Sequence, residues 1–174
     1  GKDVYSKYIL DNPEVAKVVA VAEPNEEKRK MIVDAFNIPK ENTFCSWEEI
    51  EDKERLGEAM IIANNDEDHY LPCKLALEKG YHVLLEKPMT NNLDECINLG
   101  ELSKKYPDQL LMIAHVLRYT PFFEEIKRII ESKELGELVS IQHNENIGYW
   151  HYAHSFTRGN WKNSDETSPL ILSK

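Results

Sequence analysis

A short, unbroken run, Tyr81-His82-Val83-Leu84-Leu85, follows Gly80 directly and stops at Glu86-Lys87-Pro88. A run this short and continuous is the mark of a buried strand in a parallel sheet, covered on both faces. Ligands of open α/β sheets bind beyond the carboxyl ends of the strands. The run therefore delivers a cation, Lys87, to the edge where a ligand would sit. Pro88 has no N–H to give to a ladder, so it ends the strand and stiffens the exit. Taken alone, the tripeptide favours the plainer reading of a strand followed by a solvated turn.

The surroundings repeat the same unit. Val4 to Leu10 reads as the end of a helix closed by Asn12-Pro13. Lys17 to Ala22 reads as a strand ending at Glu23, and Pro24-Asn25 opens a helix through Phe36 that Asn37 stops. Thr43-Phe44-Cys45 is a short strand. Ser46 is an N-cap, with Glu49 three positions on completing a capping box. Glu58 to Asn64 is the next strand and Asp68 to Lys79 the next helix, with Gly80 as its stop. Asn92 to Lys105 is a further helix and Leu110 to Val116 a further strand. Strands alternating with helices imply an α/β fold with a doubly wound parallel sheet.

Near Arg118 the pattern changes. Pro121 to Ser132 reads as a helix with Phe122, Phe123, Ile126, Ile129 and Ile130 along one stripe. Leu138 to Gly148 reads as a longer strand with partial alternation, suited to an antiparallel sheet with one wet face. A long polar and aromatic loop follows, over 149–167. Such loops are uncommon inside compact domains and are often functional. The expected division is a first domain over residues 1–117 and the start of a second, α+β domain over 118–174.

Composition removes several classes of partner. A formal net charge of −10 argues against nucleic acid and against an anionic membrane surface. No apolar stretch approaches the ~20 residues that span a bilayer. The opening Gly1-Lys2-Asp3-Val4-Tyr5 lacks the apolar centre of a secretory signal. Cys45, Cys73 and Cys96 are odd in number and far apart, without zinc-ligand spacing, and a reduced cytoplasmic compartment is the simplest reading.

Several side chains stand where chemistry is expected, each with a plainer role beside it. Glu23 ends a strand, where a carboxylate can accept both hydroxyls of an adenosine ribose and would repel a 2′-phosphate. That favours NAD, with NADP possible. As a plain alternative, Glu23 supplies the negative charge that suits the start of the next helix. Asn64 and Asn65 follow a strand and can contact a cofactor with their amides, or equally bond their own turn. His69, at a helix start, ties the turn down, and stands with Asn64 and Asn65 among the cofactor-binding candidates. Glu86 sets Lys87 and the cofactor in place, or is a surface turn acid. The segment Tyr149-Trp150-His151-Tyr152-Ala153-His154-Ser155-Phe156-Thr157-Arg158-Gly159-Asn160-Trp161 offers rings and donors. Tyr149, Trp150, His151, His154, Arg158 and Trp161 suit a sugar-like or acidic polyol. His151 and His154 are three apart, yet no third ligand stands beside them, so no metal is expected.

The ordered run His69, Ala76-Leu77-Glu78-Lys79-Gly80 and His82-Val83-Leu84-Leu85-Glu86-Lys87-Pro88 resembles the Gfo/Idh/MocA family, the glucose–fructose oxidoreductase and inositol dehydrogenase group. Arg118-Tyr119-Thr120-Pro121 and Leu135-Gly136-Glu137-Leu138 extend the likeness, which runs from about Val15 to the C-terminus. The resemblance implies a Rossmann-type domain lacking its first strand and glycine-rich turn, followed by the beginning of a substrate domain. Gly1 would then be the last glycine of that turn, and the chain an internal segment of a protein roughly twice as long. It also implies hydride transfer between a nicotinamide cofactor and a sugar, polyol or derivative, with Lys87 at the reacting oxygen. Arg118 would lie near the nicotinamide, or pack the domain junction. Lys174 would face the substrate just before a catalytic His outside the chain. The open face of the second-domain sheet implies a homo-oligomer, and the aromatic segment 149–161 can serve that interface instead. Two other functions remain open on the same fold: a non-catalytic ligand- or partner-binding protein, and an NAD-dependent glycosidase.

Overall fold

The computed structural model describes residues 2–159, 161–163, 168 and 170. The chain divides into two compact units, Gly1–Ile113 and Ala114–Lys174.

In the first unit a π-helical turn, Lys2–Ser6, runs straight into α1, Lys7–Asp11. Strand β1, Val21–Ala22, pairs in parallel with β2, Thr43–Phe44, across the helix α2, Glu26–Phe36. The strand expected from Lys17 onward is shorter because its partner has only two residues to offer. The carbonyl of Val19 is taken instead by the side-chain amide of Asn42 at 3.0 Å. Helix α2 starts where expected, with the Asn25 side chain accepting from the Lys28 N–H. Asn37 stops it in the left-handed conformation, φ 53°.

A second parallel sheet has the order β3-β4-β5, formed by Ala59–Ile62, His82–Leu85 and Leu111–Ile113. Helices α3, Tyr70–Glu78, and α4, Leu93–Lys105, make the two crossovers. Right-handed crossovers in one direction put both helices on one face of a sheet. Accordingly Cys73, Ala76 and Leu77 of α3 and Leu99 and Leu102 of α4 form one cluster with Ile62, Val83 and Leu85. Burial pushes the Cys73 thiol up to about 12, so it acts as a small apolar residue. The opposite face corrects the expectation of a strand covered on both sides. Ile61, Leu84 and Met112 stand in register across the three strands. Ile61 is 42% and Met112 41% exposed, while α3 and α4 cover the other face.

Local signals set the ends of these elements. Helix α3 closes in a Schellman arrangement, with Tyr81 N–H donating to Ala76 O and Gly80 N–H to Leu77 O. Gly80 takes φ +83° to make that reversal. Helix α4 is capped by Asn92, whose side chain accepts from Asp94 N–H and Glu95 N–H.

The second unit contains a 3₁₀ turn, Val116–Tyr119, and α5, Pro121–Ser132, with Pro121 in its first turn. None of α5 is buried, and Phe122 is 70% exposed. Between Leu138 and Gly148 the chain makes no ladder, which corrects the expected strand. A strand exists only through a partner, and no described strand of this unit offers one. The expected loop at 149–167 is helical at its start: α6, Tyr149–Tyr152, continues as a π-helical turn, Ala153–Thr157.

Two glycines test this account with opposite signs. Gly80→Ala forces a Cβ into the left-handed region and should lower unfolding free energy by about 1 kcal/mol or more. Gly100→Ala, inside α4 with open space around its Cβ, should raise it by about 1 kcal/mol. Urea titrations of both variants check this, and equal signs would contradict it.

Candidate functional site

The site is built around the exit of β4. The ladder closes with Glu86 N–H donating to Ile62 O at 2.9 Å. Both carboxylate oxygens of Glu86 are then engaged. The Tyr5 hydroxyl donates to Oε1 at 2.6 Å, and the Lys87 backbone N–H donates to Oε2 at 3.2 Å. One residue further on, the Lys87–Pro88 peptide is cis and the Pro88 carbonyl faces His69 Nδ1 at 2.9 Å. The other ring nitrogen of His69 lies 3.3 Å from the Asn64 carbonyl, at the exit of β3. A ring nitrogen bonds a carbonyl only where it carries a proton, and the shorter contact, at Nδ1, is the one read as the hydrogen bond. His69 is fully buried. Lys87, half-buried, is thus held by ties on both neighbouring residues, and those ties reach the π-helical turn before α1 on one side and the β3 exit on the other.

Other expected residues are placed as follows. The Asn64 amide donates to Asp68 O at 2.8 Å, so it closes its own turn, the plainer of its two readings. Asn65 begins the 3₁₀ turn Asp66–Asp68. His69, fully buried, faces carbonyls inside the protein with both ring nitrogens. Glu23 lies at the carboxyl end of β1, half-buried, with Oε1 accepting the Asn25 N–H at 2.9 Å. Arg29 lies beside it, and its guanidinium donates to the carbonyls of Glu23 and Pro24.

In the second unit Arg118 is exposed and lines a depression of about 300 Å³ with Leu117, Phe123 and Lys127. Trp150 stacks on His154 with ring centroids 5.0 Å apart, and His151 meets Phe156 edge-on at 6.1 Å. Phe156 also lies 6.4 Å from Trp161. Tyr149 and Arg158 are exposed. The rings therefore form one local aromatic group along a helical turn and its sequel. Gly1 and Lys174 lie outside the described residues. Among the described residues no group of His, Cys, Asp or Glu could hold a metal ion.

Three participants had no signal in the sequence reading. Tyr5 stands 81 positions from Glu86, and no local pattern links them. Asp66, 3% exposed, is a buried acid at the β3 exit. Thr90, also buried, donates to Glu95 Oε2 at 2.6 Å and accepts from Asn92 N–H, which anchors the chain after Pro88 to the start of α4.

Comparison with known proteins agrees with this arrangement. Residues 2–115 match the model of an oxidoreductase family with an NAD-binding Rossmann fold. Inositol 2-dehydrogenase of Corynebacterium glutamicum (strain R) is 26% identical over 127 residues, covering 73% of this chain and 37% of that protein. Trans-1,2-dihydrobenzene-1,2-diol dehydrogenase of Xenopus laevis is 30% identical over 126 residues, covering 72% of this chain and 37% of its own length. Among solved structures, scyllo-inositol dehydrogenase from Lactobacillus casei, with bound NAD(H) and scyllo-inositol, superposes with a TM-score of 0.70 over 78% of this chain and 39% of that one. At 14% identity that likeness establishes the fold. The chain spans well under half the length of these relatives.

Truncating the buried tie should be costly. His69→Ala removes a fully buried ring and leaves the Pro88 carbonyl without its donor. An unfolding free energy lower by about 3 kcal/mol is expected from denaturant titration. A change under about 0.5 kcal/mol would show that the tie does not hold the two strand exits.

Proposed function

This chain belongs to the Gfo/Idh/MocA oxidoreductase family, and we propose that it carries the cofactor-binding part of an enzyme that moves a hydride between NAD and a hydroxyl-bearing carbon of a sugar or polyol. The observation that carries this reading is the placement of Lys87. A cation is held at the carboxyl end of the central parallel strand, the edge where such folds take their ligands. The donor set fits a nicotinamide dinucleotide. Glu23 offers a carboxylate at the carboxyl end of β1, and a carboxylate that accepts one backbone N–H keeps lone pairs for a ribose diol. When bound, the nicotinamide supplies the hydride acceptor.

The work of the chain itself is positioning and charge. Glu23 selects the ribose diol over a 2′-phosphate. Glu86 orients the Glu86–Lys87 peptide. Lys87 donates to the substrate oxygen and stabilises the negative charge that grows there as the hydroxyl proton passes to a general base, a charge that is lost again as hydride leaves the carbon for the nicotinamide and the C=O bond forms. The relatives, dehydrogenases of an inositol and of a dihydrodiol, support a cyclic polyol as the substrate class. Arg118 and the aromatic group from Tyr149 to Trp161 are proposed for the substrate side. Its three free cysteines support a cytoplasmic location, and the exposed apolar side chains of its second unit support a homo-oligomer. No helix among the described residues is long and apolar enough to cross a membrane.

In the protein as its gene encodes it, Lys87→Ala should lower kcat by about 10²-fold or more while NAD affinity changes little. A steady-state rate within a few-fold of wild type would remove Lys87 from the chemistry. Cofactor choice should turn on Glu23. Glu23→Ser, with the Arg29 guanidinium already at that turn, should shift the ratio of kcat/KM values toward NADP. An unchanged ratio would reduce Glu23 to a helix-start charge.

A further inference from the structure

We infer that Tyr5 is a positioning residue for Lys87, acting through Glu86; the inference rests on the reading of Lys87 given above. The linkage is continuous. The Tyr5 hydroxyl donates to one oxygen of Glu86 at 2.6 Å, a length typical of a hydroxyl bonded to a carboxylate. The other oxygen of the same carboxylate accepts the Lys87 N–H. A carboxylate held at one oxygen has its plane set, so the second oxygen has a fixed aim. That aim sets the peptide from which the Lys87 side chain departs. His69 secures the far side through Pro88; on the near side the ladder bond from Glu86 N–H to Ile62 O holds the backbone, and Tyr5 ties the Glu86 carboxylate to a distant part of the chain.

The placement of Tyr5 is itself a local departure. It lies in the π-helical turn Lys2–Ser6 that precedes α1. A π turn inserts an extra residue per turn and re-aims side chains, and such turns recur at functional sites. Here the re-aimed side chain is the one that reaches Glu86. Burial, and then the Glu86 carboxylate, push the Tyr5 hydroxyl above its ordinary range. Tyr5 therefore keeps its proton throughout the neutral range and acts as a permanent donor. It holds a carboxylate in place and does not exchange protons with a substrate.

The test uses the protein as its gene encodes it, with NAD and a cyclic polyol that it oxidises. Tyr5→Phe keeps the ring and removes only the donor. It should lower kcat about tenfold, with KM for the polyol and NAD affinity within about threefold of wild type. Glu86→Ala should lower kcat at least as much. The double variant should be no slower than Glu86→Ala alone, because both substitutions remove one linkage. Amide hydrogen exchange at Lys87 should quicken in both single variants. A kcat within twofold of wild type in Tyr5→Phe, or losses that multiply in the double variant, would overturn the inference. Loss of the alkaline limb of the pH–rate profile in Tyr5→Phe would also overturn it, by making Tyr5 an acid–base group. If Tyr5→Phe melts well below wild type, the decision passes to Glu86→Ala: slower turnover with faster Lys87 exchange supports the linkage, and unchanged exchange rejects it. Lys87→Ala separates the two levels. A slow Lys87→Ala beside a fast Tyr5→Phe sinks only Tyr5, whereas a fast Lys87→Ala sinks the reading of Lys87 itself.

Discussion

A buried imidazole between two strand exits is the constraint on which the site depends. Strands β3 and β4 end side by side because their ladder keeps Ile62 beside Leu85. Beyond that pair the ladder makes one more bond and stops, and two free chain ends in water would wander. His69 prevents this by lying against the carbonyls of Asn64 and Pro88 from inside the protein. Its own position is secured by α3, whose Cys73, Ala76 and Leu77 belong to the dry face of the sheet. A core helix thus transmits the rigidity of the sheet to a segment outside it. Polar ties of this kind are strong where water is excluded, and costly if half made. The consequence is entropic: the backbone on both sides of Lys87 is already ordered by the fold.

The two units differ in how far their own residues complete them. In the first, one face of the β3-β4-β5 sheet is dry and the helices that cover it share a single cluster with the strands. In the second, an amphipathic helix buries none of its residues, and Leu138 to Gly148 runs without a ladder although Val139 and Ile141 are almost bare. Apolar side chains in such numbers gain free energy only when covered. The second unit is therefore held mainly by local bonds. Pro121 starts α5, Lys133 closes it in the left-handed conformation, and Arg128 bridges Glu125 and Glu134 on the surface. Exposed pairs of that kind contribute little each.

Local chemistry was readable from the sequence wherever one residue type decides the backbone. Asn37 and Gly80 stop helices by taking positive φ, Asn92 caps α4, and Pro121 opens α5. The parallel alternation and the exit at Lys87 followed from run lengths and punctuation in the same way. Contacts across the chain were not readable. Nothing near Tyr5 announces Glu86, and nothing in the run Tyr81 to Leu85 says that only one of its faces would be covered by α3 and α4. The strand read at Leu138 to Gly148 failed for a related reason. Alternation states that a segment could pair, while pairing itself depends on a distant partner. The aromatic segment misled differently: its polar residues suggested a loop, but Tyr149 to Thr157 satisfies its backbone by helical bonds.

Structural and functional readings of the same side chain, which stood as rivals in the sequence, turn out to be compatible at the strand exits. Glu23 starts a helix by accepting the Asn25 N–H, and that bond fixes the carboxylate at the edge where a ribose would need it. The Asn64 side chain closes a turn while its carbonyl lies against the His69 ring, between the β3 and β4 exits. Glu86 is a turn acid in the plain sense, since it accepts the N–H of the next residue, and that acceptance orients Lys87. Each group has more than one lone pair or donor, so one bond to the backbone does not exhaust it. A side chain already immobilised by its fold also loses less freedom when a ligand arrives. Turn chemistry at the carboxyl ends of these strands is thus the means by which a charge or a donor is held ready, and its presence is not evidence against a role in binding.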